Sequence, residues 1–287
     1  MNKTIAITGT SGFVGNYLKN YFREKGYTVI GLQRKKAQDD PNVRYFDLEN
    51  EESITSFLFN NVEVLIHCAF VKEPNRQGKD ANVSGTKAML TAAKQAGVKK
   101  FIFFSTTSAR EDNASFYGQS KLSVEKLFSG EHDLVLKCGL IIGAGGLFKQ
   151  MLSHALNKKI VPVLDGGKQA VQFISIDSVA DAIHHVLETE IYGTFIVAQP
   201  KPVGYKELFL IVEKHFKQKF FFVPVPFSFL NSILSVSEKF HIRLPVSKEN
   251  LLGLKAMKAW DSSKDADSLQ IPHEELEDLL KKYFSKH

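Results

Sequence analysis

Thr8-Gly9-Thr10-Ser11-Gly12-Phe13-Val14-Gly15 is the stretch that decides the fold. It follows a short apolar run, residues 4–8. It opens a segment, 14–23, with apolar or aromatic residues at 14, 17, 18, 21 and 22, close to the helical period. Strand, glycine turn and helix in that order cradle a pyrophosphate. Gly9 permits the tight turn, Gly12 leaves the backbone bare where a phosphate approaches, and Gly15 lets the helix close on the strand. The first helical turn offers free N–H groups and the positive end of its dipole to the anion. Gly9, Ser11, Gly12, Phe13, Val14 and Gly15 are therefore expected to line a dinucleotide site.

Outward from this loop, strand signals at 28–32, 43–46, 62–68, 101–105 and 134–142 alternate with helical signals at 80–95 and 116–128. Such alternation demands a parallel sheet covered on both faces. The predicted fold class is α/β, a Rossmann-type doubly wound parallel sheet with a small, mostly C-terminal α+β substrate region. After Gly143 the pattern loosens to a helix at 147–156, a strand at 171–176, a helix at 178–187 and a strand at 193–198. Residues 1–142 are read as the nucleotide-binding domain, with 171–198 returning to it. Residues 143–170 and 199–287 are read as the substrate region. Within it, apolar positions 227, 230, 233, 234 and 240 keep helical spacing. They predict a helix packed on that region rather than a membrane-surface helix, because its basic face is thin.

Composition bounds the remaining classes. The chain has 287 residues, 44% hydrophobic and 24% charged, ordinary for a globular protein able to bury a core without disulfides. Its two cysteines, Cys68 and Cys138, lie far apart in apolar runs and read as buried reduced thiols. No Cys/His cluster has ligand spacing, so no metal site is expected. No apolar run reaches the roughly 18–20 residues that span a bilayer, and the N-terminus lacks the features of a secretory signal. The expectation is a cytoplasmic protein. A net charge of +6 suits a phosphate-bearing small molecule. No zinc-finger spacing or RNA-binding aromatic motif is present, so nucleic acid is not an expected partner.

The end of the second strand selects the dinucleotide. It reads Val29-Ile30-Gly31-Leu32-Gln33-Arg34-Lys35-Lys36. A carboxylate there would accept from a ribose 2′-hydroxyl; here Gln33 takes its place and three cations follow. The planar fork of Arg34 suits a 2′-phosphate, so NADP(H) is favoured, with NAD(H) the alternative. Tyr117 and Lys121 are four apart on a predicted helix and share a face. A phenol, ordinarily near ~10, is a poor base at neutral pH, and a neighbouring ammonium lowers that value. Tyr117 is then expected to exchange a proton with a substrate hydroxyl while hydride moves.

The order of these motifs resembles the extended short-chain dehydrogenase/reductases, the NAD(P)-dependent epimerase/dehydratase group. Asp47-Leu48 is similar to the pair that contacts adenine in that family. Leu65-Ile66-His67-Cys68-Ala69 is similar to the strand along the cofactor ribose, although His67 itself reads as a packed core histidine. Asn82-Val83-Ser84-Gly85-Thr86 matches N-V-x-G-T. Phe101 to Thr106 matches the strand that delivers the catalytic Ser/Thr, and Tyr117-Gly118-Gln119-Ser120-Lys121 matches Y-x-x-x-K, with Glu125 following. The resemblance covers residues 4 to about 200. It implies Thr106, Tyr117 and Lys121 as catalytic residues. It extends the cofactor contacts to Gln33, Arg34, Asp47, Leu48, Cys68, Ala69, Asn82, Ser105 and Gly139, with Tyr117 and Lys121 at the nicotinamide ribose. A homodimer is a further implication.

Departures from the family narrow the reaction. Thr107-Ser108 occupy the places of the acids that dehydratases use, which disfavours elimination of water. Ala109-Arg110-Glu111 replace V-Y-G, and Lys137-Cys138-Gly139 replace an R-P-bearing strand end. Ala170-Val171 stand where an Arg often meets the nucleotide diphosphate, leaving Lys168 or Arg243 as substitutes. The sequence reading is an NADP(H)-preferring ketoreductase for a nucleotide sugar or a similar keto/hydroxy substrate. A 4-epimerase with retained cofactor and a non-catalytic dinucleotide sensor are the alternatives.

Overall fold

A computed structural model describes residues 3–35, 40–74, 78–225, 252–253, 255 and 257–286. Its strands are β1 (Thr4–Thr8), β2 (Thr28–Gln33), β3 (Val43–Tyr45), β4 (Val64–His67), β5 (Lys100–Thr106), β6 (Asp133–Cys138), β7 (Leu140–Ile142), β8 (Ile160–Leu164), β9 (Ala170–Val171), β10 (Phe173–Ser175), β11 (Gly193–Val197), β12 (Val203–Gly204) and β13 (Phe221–Val225). The main helices are α1 (Phe13–Glu24), α2 (Ala81–Gln95), α3 (Phe116–Glu125), α4 (Gly146–Lys158), α5 (Ile176–Glu188) and α6 (Tyr205–Phe216). Short helices at Ser263–Ser268 and Leu276–Lys286 follow.

Seven strands form one parallel sheet in the order β11-β6-β5-β4-β1-β2-β3. The chain runs outward from β1 through β2 to β3, then returns to β4 on the other side of β1. Connections therefore diverge at the carboxyl ends of β1 and β4, which opens the crevice where ligands of such sheets bind. The sheet is buried on both faces. Ile5, Ile7, Leu18, Phe22, Val179 and Ile183 form the core under α1 and α5. Ala6, Leu65, Met89, Ala93, Phe101 and Phe103 form the core under α2. Tyr17 and Tyr21 of α1 donate hydrogen bonds to Asp177 and Asp181 of α5, which locks those two helices together.

Outside the sheet, β7 pairs with β10, β9 with β12 and β8 with β13. A separate apolar cluster, including Phe148, Val161, Val163, Leu208, Phe209 and Leu280, fills this smaller region. The single strand expected over 134–142 is two strands. Gly139 donates its N–H to Val197 O, in the large sheet, whereas Leu140 donates to Gln172 O. The chain changes partners at Gly139, where a Cβ would sit 2.4 Å from Gln172 O. The strand expected over 171–176 is likewise divided at Gln172, and its last residue belongs to α5. That helix starts at Ile176 because Ser175 caps it, accepting from Ser178 N at 2.9 Å. The helix expected over 227–240, Lys36 and Arg243 lie outside the described residues.

Candidate active site

At the carboxyl end of β1 the chain turns through Gly9 at φ 73°, a left-handed conformation that glycine adopts without strain. A Cβ on Gly9 would lie 2.9 Å from the Ala69 backbone, and one on Gly15 would lie 2.4 Å from Gly9 O. Only hydrogen fits at either place. Gly12 is exposed and precedes α1 as its N-cap, and no side chain caps the helix. By contrast, Asp80, Ser115 and Ser175 cap α2, α3 and α5. An uncapped helix start behind a bare glycine turn fits a dinucleotide pyrophosphate. Ser11 is exposed, Val14 is half-buried, and the Phe13 ring turns away from solvent onto the Gly143–Gly146 turn. Cβ atoms on Gly143 and Gly145 would meet that ring at 2.6 and 2.5 Å, so those two glycines make the seat for Phe13.

Gln33 ends β2 with its carboxamide held on both sides. Its Oε1 accepts from the Thr10 hydroxyl at 2.9 Å and its Nε2 donates to Lys35 O at 2.7 Å. The last residue of β2 is thus a carboxamide, where a carboxylate would accept from a ribose 2′-hydroxyl. Arg34 is exposed and its Nη1 lies 3.5 Å from Glu49, itself solvent-accessible. An exposed pair of this kind contributes about 0–1 kcal/mol and yields readily to a competing anion. Beyond β3, half-buried Asp47 accepts from Glu49 N, and Leu48 is buried. Gly85 lets α2 touch Leu48, since a Cβ would lie 2.4 Å from Leu48 O.

The next strand shows why its polar residues are buried. The Thr8 hydroxyl accepts from Cys68 N and Ala69 N at 3.1 and 3.0 Å. Its one proton therefore goes to His67 Nδ1, 2.7 Å away. His67 must then carry its own proton on Nε2 and donate it to Thr86 at 2.9 Å. Burial pushes His67 down to about 3, assisted by the Lys121 charge, so the ring is neutral. It is a core residue, as its apolar setting implied. Asn82 is similarly committed. Its Oδ1 accepts from Val71 N at 2.7 Å, and its Nδ2 donates to Val71 O, Asp80 and Ser120. It fixes the loop after β4 to α3 rather than leaving a free group at the crevice. Gly139 serves the strand switch described above.

Thr106 closes β5 and Tyr117 opens α3, and the Thr106 hydroxyl hydrogen-bonds the Tyr117 phenol. Tyr117 is 39% accessible, yet its surroundings are dense in protein atoms. Burial pushes the phenol up to about 12, while the Thr106 bond opposes that rise. Lys121 is buried, and burial brings its ammonium down to about 8. Its Nζ donates to Phe104 O at 2.6 Å and lies over the rings of Phe70 and Phe103, 5.2 and 4.6 Å from their centroids. Against the expectation that the lysine acidifies the tyrosine, burial sets the direction here, Thr106 alone opposes it, and the phenol holds its proton at neutral pH. Phe70 also meets Tyr117 edge-on at 5.0 Å, and no spacing or motif marked it. Cys68 and Cys138 are free thiols; burial drives Cys68 up to about 12 and Cys138 further, so both are inert.

A buried polar chain stands behind this set. Ser105 donates to Glu125, which pairs with Lys137 at 2.9 Å, and Lys137 donates to Ala109 O at 2.7 Å. The chain fixes the carboxyl end of β5 against the loop that follows. Gln119 of α3 donates to Asn113 O in that loop, and Asn113 donates to Ser108 O at 2.7 Å. Gly118 leaves room for Asn113, whose Nδ2 would lie 2.3 Å from a Cβ there. Arg110 takes Asp112 in a bidentate pair at 2.7 and 3.0 Å, and its buried Nη1 has no hydrogen-bond partner among the described residues. Lys168 and Ala170, on the substrate side, are exposed and half-buried.

The sequence matches the family described as the NAD-dependent epimerase/dehydratase family over residues 5–198. Among curated proteins it is similar to human sterol-4-alpha-carboxylate 3-dehydrogenase, decarboxylating, with 25% identity over 66% of this chain and 58% of that protein. It is also similar to ceramide reductase of Caulobacter vibrioides, with 28% identity over 70% of this chain and 66% of that protein. UDP-glucose 4-epimerase of Vibrio cholerae is 30% identical over 44% of this chain and 46% of its own length. The chain therefore spans a little over half the length of the first of these relatives. Among solved structures, Thermotoga maritima UDP-glucose 4-epimerase with UDP-glucose superposes with a TM-score of 0.74 at 21% identity, covering 99% of both chains. Bacillus cereus UDP-glucuronic acid 4-epimerase with NAD gives 0.73 at 19% identity, covering 98% of this chain and 95% of that one. The chain belongs to the NAD-dependent epimerase/dehydratase family and has the Rossmann-type architecture of those structures.

Proposed function

We propose that this protein is an NADP(H)-preferring ketoreductase acting on a nucleotide sugar or a similar keto/hydroxy substrate. The observation that carries the reading is the Tyr117 phenol, protonated at neutral pH and hydrogen-bonded to Thr106 at the mouth of the crevice. A nicotinamide bound there supplies or accepts hydride. In reduction, Thr106 positions the carbonyl oxygen, and Tyr117 transfers its phenolic proton to that oxygen as charge develops on it. Lys121, with its charge buried nearby, stabilises the phenolate left behind. Gly9, Gly12, Gly15 and the start of α1 would hold the pyrophosphate, and Arg34 would exchange Glu49 for the 2′-phosphate. Dehydrogenase and reductase relatives support net hydride transfer, and the absent dehydratase acids narrow it further.

The epimerase relative supports a second reading, in which a retained cofactor takes hydride from a sugar carbon and returns it to the other face. The test separates the two. Purified protein is assayed for NADPH and NADH oxidation against a panel of 4-keto nucleotide sugars, and the nucleotide released on denaturation is identified. Turnover faster with NADPH is the expected result. Tightly held nucleotide with sugar interconversion and no net NADPH consumption moves the assignment to the epimerase, and no turnover across the panel removes the ketoreductase for this substrate class.

A further inference from the structure

The outer face of the β8–β13 pair combines exposed apolar side chains with a cluster of lysines. Lys159 caps the C-terminus of α4 and Lys217 that of α6, both left-handed, with φ of 56° and 50°. From those two ends the strands run parallel, with Phe221 opposite Ile160, and Phe221 N donates to Lys159 O at 2.7 Å. This register brings Lys158 and Lys159 beside Lys217 and Lys219, all four exposed. Glu213, buried and accepting from the Phe220 N–H, also lies 3.9 Å from Lys219, so it offsets one of the four charges and leaves a net positive cluster. Phe221 is 71% accessible, Val223 44% and Ile160 42%. Phe222, Val161 and Val163 point the other way, into the core of the smaller region.

Strand alternation forces this division. Residues 221 and 223 share one face with their partner at 160, and 222 shares the opposite face with 161. The inner face holds the pair in place, so the outward apolar residues are not needed for that packing. An exposed apolar patch rimmed by cations calls for a partner. A second copy of this chain would set lysine against lysine across a two-fold axis, which repels. A nucleic acid would leave the aliphatic Val223 and Ile160 without a stacking plane. An anionic bilayer satisfies both components, since Phe221 and Val223 can enter the headgroup–acyl boundary while the lysines meet lipid phosphates. No described helix is long and apolar enough to cross a membrane, and a peripheral contact needs none. We infer that the face carrying Ile160, Phe221 and Val223, with Lys158, Lys159, Lys217 and Lys219, docks this protein on an anionic lipid surface.

The inference does not depend on the proposed reaction, and its test uses no substrate. The full chain is sedimented with vesicles of phosphatidylcholine alone, and of phosphatidylcholine with about 30 mol% phosphatidylglycerol. Binding to the anionic vesicles only is expected. Phe221→Ser should weaken it by about tenfold or more, through the apolar area lost. Lys217→Gln and Lys219→Gln should each weaken it by about fivefold. These residues are exposed, so thermal midpoints should match the parent; should Phe221→Ser fail that check, Val223→Ser replaces it. Absence of vesicle binding overturns the inference. So does binding that ignores lipid charge or survives these substitutions unchanged. A dimer in light scattering that Phe221→Ser dissociates would overturn it by assigning the face to a second copy.

Discussion

Tyr117 and His67 are both shaped by burial, with opposite consequences for protons. The phenol is pushed up to about 12 and keeps its proton, ready to donate. Tyr117→Phe removes that proton and should cut kcat by about 10²–10⁴-fold while leaving NADPH affinity, read by fluorescence titration, within a small factor. Equal losses in both would mean that the ring binds rather than reacts. His67 is brought down from 6.5 to about 3 because its charged form cannot be solvated between Thr8 and Thr86. Between pH 6.5 and 3 the unfolded chain binds a proton at this residue that the folded chain refuses. Its contribution to stability is therefore intact above pH 6.5 and falls with acidification, by up to about 1.4 kcal/mol per pH unit within that window. Urea unfolding from pH 7 to 4 measures the slope, and His67→Gln should flatten it. At Arg34, exchange of a weak carboxylate partner for a phosphate predicts that Arg34→Ala raises KM for NADPH about tenfold and leaves KM for NADH unchanged. An equal effect on both cofactors would remove Arg34 from 2′-phosphate selection.

Elements that obey local rules were legible, and those set by distant partners were not. The glycine turn with α1 follows from spacing alone. So does the alternation of β1 to β6 with α2 and α3, because period and turn chemistry are written within each segment. Gly15 illustrates the cost encoded there. A methyl group at 2.4 Å from Gly9 O must displace the turn or the helix. Gly15→Ala should lose about 1–3 kcal/mol in urea unfolding, together with affinity for the dinucleotide. A variant as stable as the parent would show that α1 can shift outward freely. The break at Gly139 could not be read, because it depends on Val197 and Gln172 competing for successive N–H groups from far along the chain. Nor could the partnership of Glu125 with Lys137: each looked like an ordinary charge until β6 and α3 met. Tyr117 and Lys121 were found by their spacing, but the direction of their shifts was not, because each depends on how tightly the folded chain buries that group.

At the scale of the molecule, Phe13 and Gln172 are among the side chains that join the smaller region to the sheet. Phe13, at the first turn of α1, fills the seat made by Gly143 and Gly145 and so couples the nucleotide loop to the start of α4. Gln172, between β9 and β10, is buried and spans three segments. Its Nε2 donates to Trp260 O at 2.9 Å and to Gln199 O at 3.1 Å, and its Oε1 accepts from Trp260 N at 2.8 Å. Trp260 is the sole tryptophan of the chain, so its fluorescence reports the environment of this late segment. In the parent protein the tryptophan signal and the far-ultraviolet circular dichroism should unfold together, since the amide clamp ties the late segment to the sheet edge. Gln172→Ala strands the Trp260 N–H and two carbonyls at a site that water reaches poorly, a loss of about 2–4 kcal/mol. That loss falls first on the attachment, because the sheet keeps its own ladder. The fluorescence transition should therefore move to lower urea than the circular dichroism transition in Gln172→Ala, and the two should stay coincident in a control such as Lys201→Ala at the exposed surface. Coincident transitions in Gln172→Ala would show that the two cores are held together by apolar packing around Phe13 and α5, and that the amide clamp only refines the fit.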